Sequence, residues 1–324
     1  MGIMIDETDK RALSVKVAQL YYQNDWRQSR IAAELNLSRP TVSRLLQYAR
    51  ESGIVQIKIS NPLVSTQQLA AELKDYYHLD QVIVVPSEMT ASGELLELVG
   101  AAAAEYIETI VKDDDTIGLA WGKTIHAIAQ HLSPEDVHGV TVVQLKGSVA
   151  NTKQKNYAFE SVNAFASAFH TLPQYLPLPV IFDHQETKEL VEQDTHIKYI
   201  MDLGRQADIA VFTVGTVRDS ALLFHLGYFS QAEQEYLQQH AVGDVFSRFI
   251  DQNGSIVAPQ IDQRTIGIDL EQLKKIPQRV LVIANPAKTQ AAAGALKAGY
   301  ANVLVIDQGS AASLVKKLRE KGAN

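Results

Sequence analysis

The 324-residue chain has no cysteine, which excludes disulfides, thiolate nucleophiles and cysteine-ligated zinc or iron–sulfur centres. No apolar run approaches the roughly 20 residues of a membrane-spanning helix. The opening MGIMIDETDK lacks the basic-then-apolar order of a secretory signal. Internal repeats and low-complexity tracts are also missing. These absences predict a soluble cytoplasmic protein with no membrane partner and no cofactor. The histidines, among them His126, His131, His170, His184 and His225, are scattered and offer no adjacent acid and base. That argues against an enzyme.

A hydrophobic content of 46% is ample for a buried core, and the length suggests two domains, one of about 60 residues and one of roughly 250. The most informative stretch is 27–50, RQSRIAAELNLSRPTVSRLLQYAR. Ile31, Ala32 and Leu35 form one apolar stripe at helical period, and Val42, Leu45 and Leu46 form a second. Asn36-Leu37-Ser38 leaves room only for a tight turn, so the pattern is a helix-turn-helix. Ser38 suits the N-cap of the second helix, and Pro40 suits its first turn, where a missing N–H costs nothing. Arg39, Thr41, Ser43, Arg44 and Gln47 then occupy the outer face, where such a motif meets base edges and phosphates. The candidate DNA-binding set is Arg27, Gln28, Ser38, Arg39, Pro40, Thr41, Ser43, Arg44 and Gln47.

Charge supports this reading. Residues 27–58 carry six basic side chains against Glu34 and Glu51, a net of +4, in a chain whose net charge is −7. Concentrating basic charge on one small unit of an acidic protein focuses phosphate attraction in one place. A first helix is predicted over 10–23, with Leu13, Val17, Leu20 and Tyr21 inward and Trp26 packed beneath the motif. After a stop at Gly53, residues 54–59 alternate as a strand does and predict a wing, with Lys58 near a phosphate. Domain boundaries are predicted at 1–60 for the winged helix-turn-helix unit, 61–79 for a linker helix that pairs with its copy in a second subunit, and 80–324 for an effector domain.

From residue 81 onward, Val/Ile-rich runs alternate with helical segments. Strands are predicted at 82–85, 116–120, 140–145, 180–182, 209–214, 280–284 and 303–306. Helices are predicted near 92–110, 124–132, 157–170, 186–203, 230–239, 287–298 and 309–321. Several runs are apolar at every residue, as in strands covered on both faces. The fold class is therefore α/β: a winged helix-turn-helix followed by a doubly wound, Rossmann-like domain. Its ligands belong beyond the carboxyl ends of the strands.

The residues that follow those runs share one chemistry. Gly122-Lys123-Thr124-Ile125 opens a helix, where free N–H groups and the helix dipole attract an anion. The Walker spacing is absent, so this is not a P-loop. Lys146-Gly147 and Lys288 place amines at two strand ends, and Gly243-Asp244, just before Val245-Phe246, adds a carboxylate. Together they describe a pocket for a small anionic polyol such as a sugar phosphate.

These residues also carry a resemblance. The pattern over 27–46, with Gly118-Leu119-Ala120-Trp121-Gly122, Val143-Gln144-Leu145-Lys146-Gly147 and Val242-Gly243-Asp244, resembles the SorC family of bacterial sugar-responsive transcription regulators. The likeness is strongest to its deoxyribonucleoside regulators, over Tyr175–Val180, Val191–Asp194 and Ala210–Asp219. The resemblance implies a repressor with a phosphosugar-isomerase-like sensor domain, assembling into dimers or tetramers on double-stranded operator DNA. It implies a phosphorylated sugar effector, deoxyribose 5-phosphate first. Gly122, Lys123, Thr124 and Lys288 would hold the phosphate, and Asp244 would face the sugar. Asn285-Pro286-Ala287-Lys288 departs from a glycine pair frequent in relatives.

An aldose phosphate lacking its 2-hydroxyl spends more time as the open aldehyde, and a desolvated lysine can form an imine with it. Lys146 is expected either to form that imine or to hydrogen-bond the effector. The competing function is a phosphosugar isomerase or deaminase with an appended DNA-binding unit.

Overall fold

The computed structural model describes residues 7–22, 24, 26–55, 62–87, 92–148 and 156–322. Two compact units emerge, Met1–Asn61 and Pro62–Asn324.

The first unit holds α1 (Glu7–Tyr22), α2 (Gln28–Glu34) and α3 (Arg39–Glu51). Val17 of α1, Ile31 of α2, and Val42 and Ala49 of α3 are fully excluded from solvent, and Leu45 and Leu46 are nearly so. The turn between α2 and α3 closes through Asn36 in a left-handed conformation (φ 51°) and a Leu37 N–H bond back to the Ala32 carbonyl at 2.8 Å; this combination satisfies the orphan carbonyls at a helix end. Ser38 caps α3 by accepting from the Thr41 N–H at 3.2 Å. Trp26 packs against this core with the Arg30 guanidinium 3.9 Å from its ring centroid. Of the wing, Ile54 and Val55 pack on the same core; residues 56–59, with Lys58, lie outside the described residues.

The second unit starts with α4 (Pro62–Tyr77), β1 (Gln81–Val85), α5 (Ser92–Ile110), β2 (Thr116–Leu119), α6 (Lys123–His131) and β3 (Thr141–Gln144). It continues through α7 (Ala158–Ala168), β4 (Pro173–Gln174), α8 (Gln185–Glu192), α9 (Thr195–Arg205), β5 (Ile209–Phe212), α10 (Gln231–His240), β6 (Gly243–Val245) and β7 (Arg248–Ile250). Two single-turn helices, α11 (Pro259–Asp262) and α12 (Leu270–Leu273), precede β8 (Gln278–Ile283), α13 (Thr289–Lys297), β9 (Val303–Asp307) and α14 (Gln308–Gly322). Seven strands form one parallel sheet in the order β1-β9-β8-β5-β2-β3-β4. All four residues of β5 and all five of β9 are buried, which requires cover on both faces. The chain runs outward from β2 to β3 and β4, then returns to β5 on the other flank of β2. That reversal makes the β2/β5 boundary the switch point, where a crevice opens beyond the carboxyl ends.

Three expectations need correction. Residues 180–182 are not a sheet strand: Ile181 makes only an isolated bridge with Thr265, and Pro173–Gln174 pairs with β3 at the edge instead. Pro177 and Pro179 remove ladder donors around 180, whereas a proline is tolerated on an edge strand. The helix expected over 186–203 is two helices, because Asp194 starts a new one by accepting from the N–H groups of His196 and Ile197 at 3.0 and 3.2 Å. Helix α4, expected as a linker between the two units, belongs to the second one. Leu73 is fully buried in the large core, and Leu69, Ala70 and Tyr77 pack against that core; Arg319 of α14 grips Glu72 with a second nitrogen–oxygen contact at 2.7 Å.

Candidate functional site

A cleft of about 750 Å³ opens at the switch point, lined from the ends of β2, β3, β5 and β8 and from the β6–β7 hairpin. After β2 the chain passes Trp121 and turns through Gly122 at φ 129°, a conformation that favours glycine, into α6. No side chain caps this helix, so its first N–H groups face the cleft beside the Thr124 hydroxyl and the exposed Lys123. A helix start left open in this way attracts an anion.

Lys146 follows β3 and is almost wholly buried. Its amine donates to Ser247 Oγ at 3.2 Å and lies 4.0 Å from the Trp121 ring centroid, a cation–π distance. Trp121 is itself fixed by its indole N–H, which donates to the Gly147 carbonyl at 2.7 Å. Lys146 thus meets a hydroxyl and a ring face. Burial lowers its pKa from the ordinary lysine value, opposed by the negative charge of Asp244.

Asp244 arrives on the β6–β7 hairpin, whose two linking residues, Phe246 and Ser247, both have positive φ (50° and 66°). A two-residue hairpin with both linkers left-handed is the turn that follows strand twist, usually built from Asn-Gly. Here the residues are a buried phenylalanine and a buried serine, so the turn carries strain at a functional position. Ser247 uses the constraint twice: its N–H donates to Asp244 Oδ2 at 2.9 Å and its hydroxyl accepts from Lys146. Arg248 anchors the hairpin through Asp262 Oδ1 at 2.5 Å and the Ile268 carbonyl at 3.0 Å. Burial raises the Asp244 pKa, while the charges of Lys146 and Lys288 and the Ser247 N–H pull it back.

Lys288 closes the cleft from the turn after β8 and donates to Thr213 Oγ1 at 3.0 Å. Desolvation drives its pKa down to about 8; Asp244 opposes that shift and Lys146 adds to it. The Asn285-Pro286 departure is accommodated locally, because Asn285 accepts from the Ala287 N–H at 2.9 Å and starts a turn of 3-10 helix.

Gly122, Lys123, Thr124, Lys146, Asp244 and Lys288 therefore share one cleft. Two of the expected effector residues do not line it. The Ile125 side chain is fully buried in the core, as an apolar group in the first turn of α6 must be when that face packs on the sheet. Gly147 serves packing: a Cβ there would lie 2.3 Å from the Pro179 carbonyl oxygen. Sequence reasoning missed Ser247, Thr213, Arg218 and Tyr157. Thr213 and Arg218 fall just after β5, where the strand-end rule would have found them. Tyr157, left-handed at φ 60° and stacked on His126 with ring centroids 4.4 Å apart, leaves no signal in periodicity.

In the first unit, Arg27, Ser38, Arg39, Pro40, Ser43, Arg44 and Gln47 are exposed, with Gln28 and Thr41 half-buried. Pro40, Ser43, Arg44 and Gln47 recur at three- and four-residue spacing opposite the buried stripe of α3, and so share its outer face.

Residues 61–316 match the sugar-binding domain family, and residues 7–58 match a homeodomain-like family. The deoxyribonucleoside regulator of Bacillus subtilis is 46% identical over 96% of this chain and all of that protein. The sorbitol operon regulator of Klebsiella pneumoniae is 28% identical over 96% of this chain and all of its own length. The full-length crystal structure of that regulator, SorC, superposes with a TM-score of 0.73 over 94% of this chain and 98% of that one. The crystal structure of a domain of a possible sugar-binding transcriptional regulator from Arthrobacter aurescens, 32% identical, matches over 79% of this chain and all of its own, with a TM-score of 0.71. These relatives are transcriptional regulators rather than enzymes, and among the described residues no helix is long and apolar enough to cross a membrane. With its helix-turn-helix unit followed by a sugar-binding α/β domain, the chain belongs to the SorC family of transcriptional regulators.

Proposed function

We propose that the protein represses a deoxynucleoside or sugar catabolic operon and leaves its operator when a phosphorylated sugar, deoxyribose 5-phosphate first among candidates, fills the cleft. The observation that carries this reading is the meeting of two amines, the buried Lys146 and the half-buried Lys288, with Asp244 and the open start of α6 in one crevice. The N–H groups of the first turn of α6, the Thr124 hydroxyl, Lys123 and Lys288 hold the phosphate. Asp244 accepts from a sugar hydroxyl. The 46% identity to a deoxyribonucleoside regulator supports the choice of sugar.

Lys146 supplies either a hydrogen bond or an imine. Its depressed pKa increases the neutral amine, whose lone pair attacks the aldehyde carbon. Of the two protons the nitrogen sheds, one goes to the carbonyl oxygen on addition and the second passes through Asp244 to the departing hydroxyl, so the carbinolamine loses water and the imine remains. The reaction reverses by adding water and leaves no net oxidation. Borohydride added to protein and effector traps the imine as a secondary amine; an unchanged intact mass leaves hydrogen bonding as the role of Lys146.

The protein acts as a homo-oligomer, dimer or tetramer, that sets two copies of α3 on successive half-sites. The effector can change operator affinity only through its different affinity for the DNA-bound and released arrangements. The deciding experiment is a mobility-shift titration with deoxyribose 5-phosphate and other phosphorylated pentoses and hexoses. Release by one of them at low concentration supports the proposal. Complexes that survive saturation with all of them overturn it.

A further inference from the structure

The outer face of α3 carries a glutamine–glutamate pair at i,i+4 spacing, a contact that supports a helix and here also fixes a candidate base-reading side chain. Gln47 and Glu51 lie one turn apart, both exposed, and Gln47 Nε2 donates to Glu51 Oε1 at 2.8 Å. A carboxylate only accepts, so the amide must turn its nitrogen towards Glu51. One of the two N–H groups of Gln47 is then committed. The other N–H and the amide oxygen remain, side by side in one plane.

That remaining pair is one donor beside one acceptor. In the major groove, adenine offers the complement, with N7 accepting and the N6 amino group donating, and a glutamine amide meets both at once. A free glutamine has three rotatable bonds to order before it can do so. A glutamine already held by its neighbour has fewer, and preorganisation of this kind strengthens binding by reducing what must be ordered. The negative charge of Glu51 works against attraction to phosphate. Its presence on the most basic unit of the chain is therefore better accounted for by what it does to Gln47 than by affinity.

We propose that Glu51 is a positioning residue for sequence reading: it orients the Gln47 amide so that α3 selects adenine at the base pair Gln47 faces. This rests on the reading of Gln47 as a base contact, and the two are separable by experiment. Full-length protein is used to select from a pool of randomised duplexes, alongside Gln47→Ala, Glu51→Ala and Glu51→Gln.

Gln47→Ala identifies the position that Gln47 reads, as the one whose adenine preference disappears. Glu51→Ala lowers the adenine preference at that same position by about 5-fold or more, the lower end of what one bidentate base contact contributes, while total duplex affinity stays level or rises as a negative charge is lost. Glu51→Gln keeps an acceptor oxygen, removes the charge and restores the preference. If Glu51→Ala tightens binding uniformly and leaves the selected sequence intact, Glu51 is a charge and nothing more, and the inference is overturned while Gln47 keeps its role. If Gln47→Ala changes no position, or the position it changes does not favour adenine, both fall.

Discussion

The Lys288 amine donates to the Thr213 hydroxyl at 3.0 Å, joining the turn after β8 to the end of its neighbour β5 at the cleft. A neutral hydroxyl is a weak partner for a half-buried ammonium, and the other nearby charges, Asp244 and Lys146, pull in opposite directions. Lys288 is thus held in position without being neutralised. In the proposed function, a phosphate arriving beside it would supply the missing countercharge.

This arrangement sets a pH dependence with opposite signs for binding and for stability. Lys288 titrates near about 8 in the folded protein. The second pKa of a phosphate monoester lies near about 6, so the ligand is already dianionic across the window. Phosphosugar affinity, measured by calorimetry, should fall by up to about ten-fold from pH ~7 to pH ~9 as the ammonium is lost, and Lys288→Met should flatten that fall. Stability moves the other way. The folded pKa lies below the ordinary 10.5, so between about 8 and 10.5 the unfolded chain binds more protons, and the Lys288 contribution to unfolding free energy rises with pH. An affinity independent of pH would remove Lys288 from the anion site.

Gly215 makes room for the carboxylate. A Cβ there would lie 1.8 Å from Asp244 Oδ1, and the Gly215 N–H donates to the Asp244 carbonyl at 2.9 Å. Gly215→Ala must push Asp244 off Ser247. The expected cost is ~1–3 kcal/mol, as for other overpacked sites, read by urea denaturation, together with a reduced thermal shift on adding phosphosugar. A variant with wild-type stability and response would show that Asp244 moves freely.

Much of this architecture was legible because it follows from periodicity. Six of the seven sheet strands and the helix-turn-helix announce themselves by Val/Ile-rich runs or by a stripe such as Val42, Leu45 and Leu46. The strand-end rule likewise points to Lys146 and Lys288 as candidates, and both line the cleft together with Asp244. What was hidden depends on side chains distant in sequence. Ser247 acts through a left-handed backbone that no serine advertises. The edge strand at Pro173–Gln174 is set by its pairing with Val142 and Val143. Ile125 sits at the helix start by its backbone while its side chain belongs to the core, so it can reach the cleft only through its N–H group.

Helix α4 offers a test of where the larger unit begins. Leu73 is fully buried in the main core, and Leu73→Ala should cost ~2–5 kcal/mol of that unit's stability. Hydrogen exchange should show faster opening of β1, which packs against α4. If instead the sheet keeps its protection, α4 is a passenger on the domain.

The two ends of the proposed mechanism should separate by mutation. Arg44 is exposed on the outer face of α3, and Arg44→Ala should lose ~1–3 kcal/mol of specific duplex binding if it reads a guanine. The cleft is untouched, so the thermal shift produced by phosphosugar should remain. Lys288→Met should do the reverse, holding the operator as tightly as wild type while ignoring the effector in a mobility shift. A ligand response depends on both the site it fills and the equilibrium it biases. If Lys288→Met still releases DNA at the wild-type effector concentration, the anion is bound elsewhere in the domain. If Arg44→Ala loses the thermal shift as well as the duplex, the substitution has unfolded the chain, and only its circular dichroism spectrum against wild type would then bear on the reading of α3.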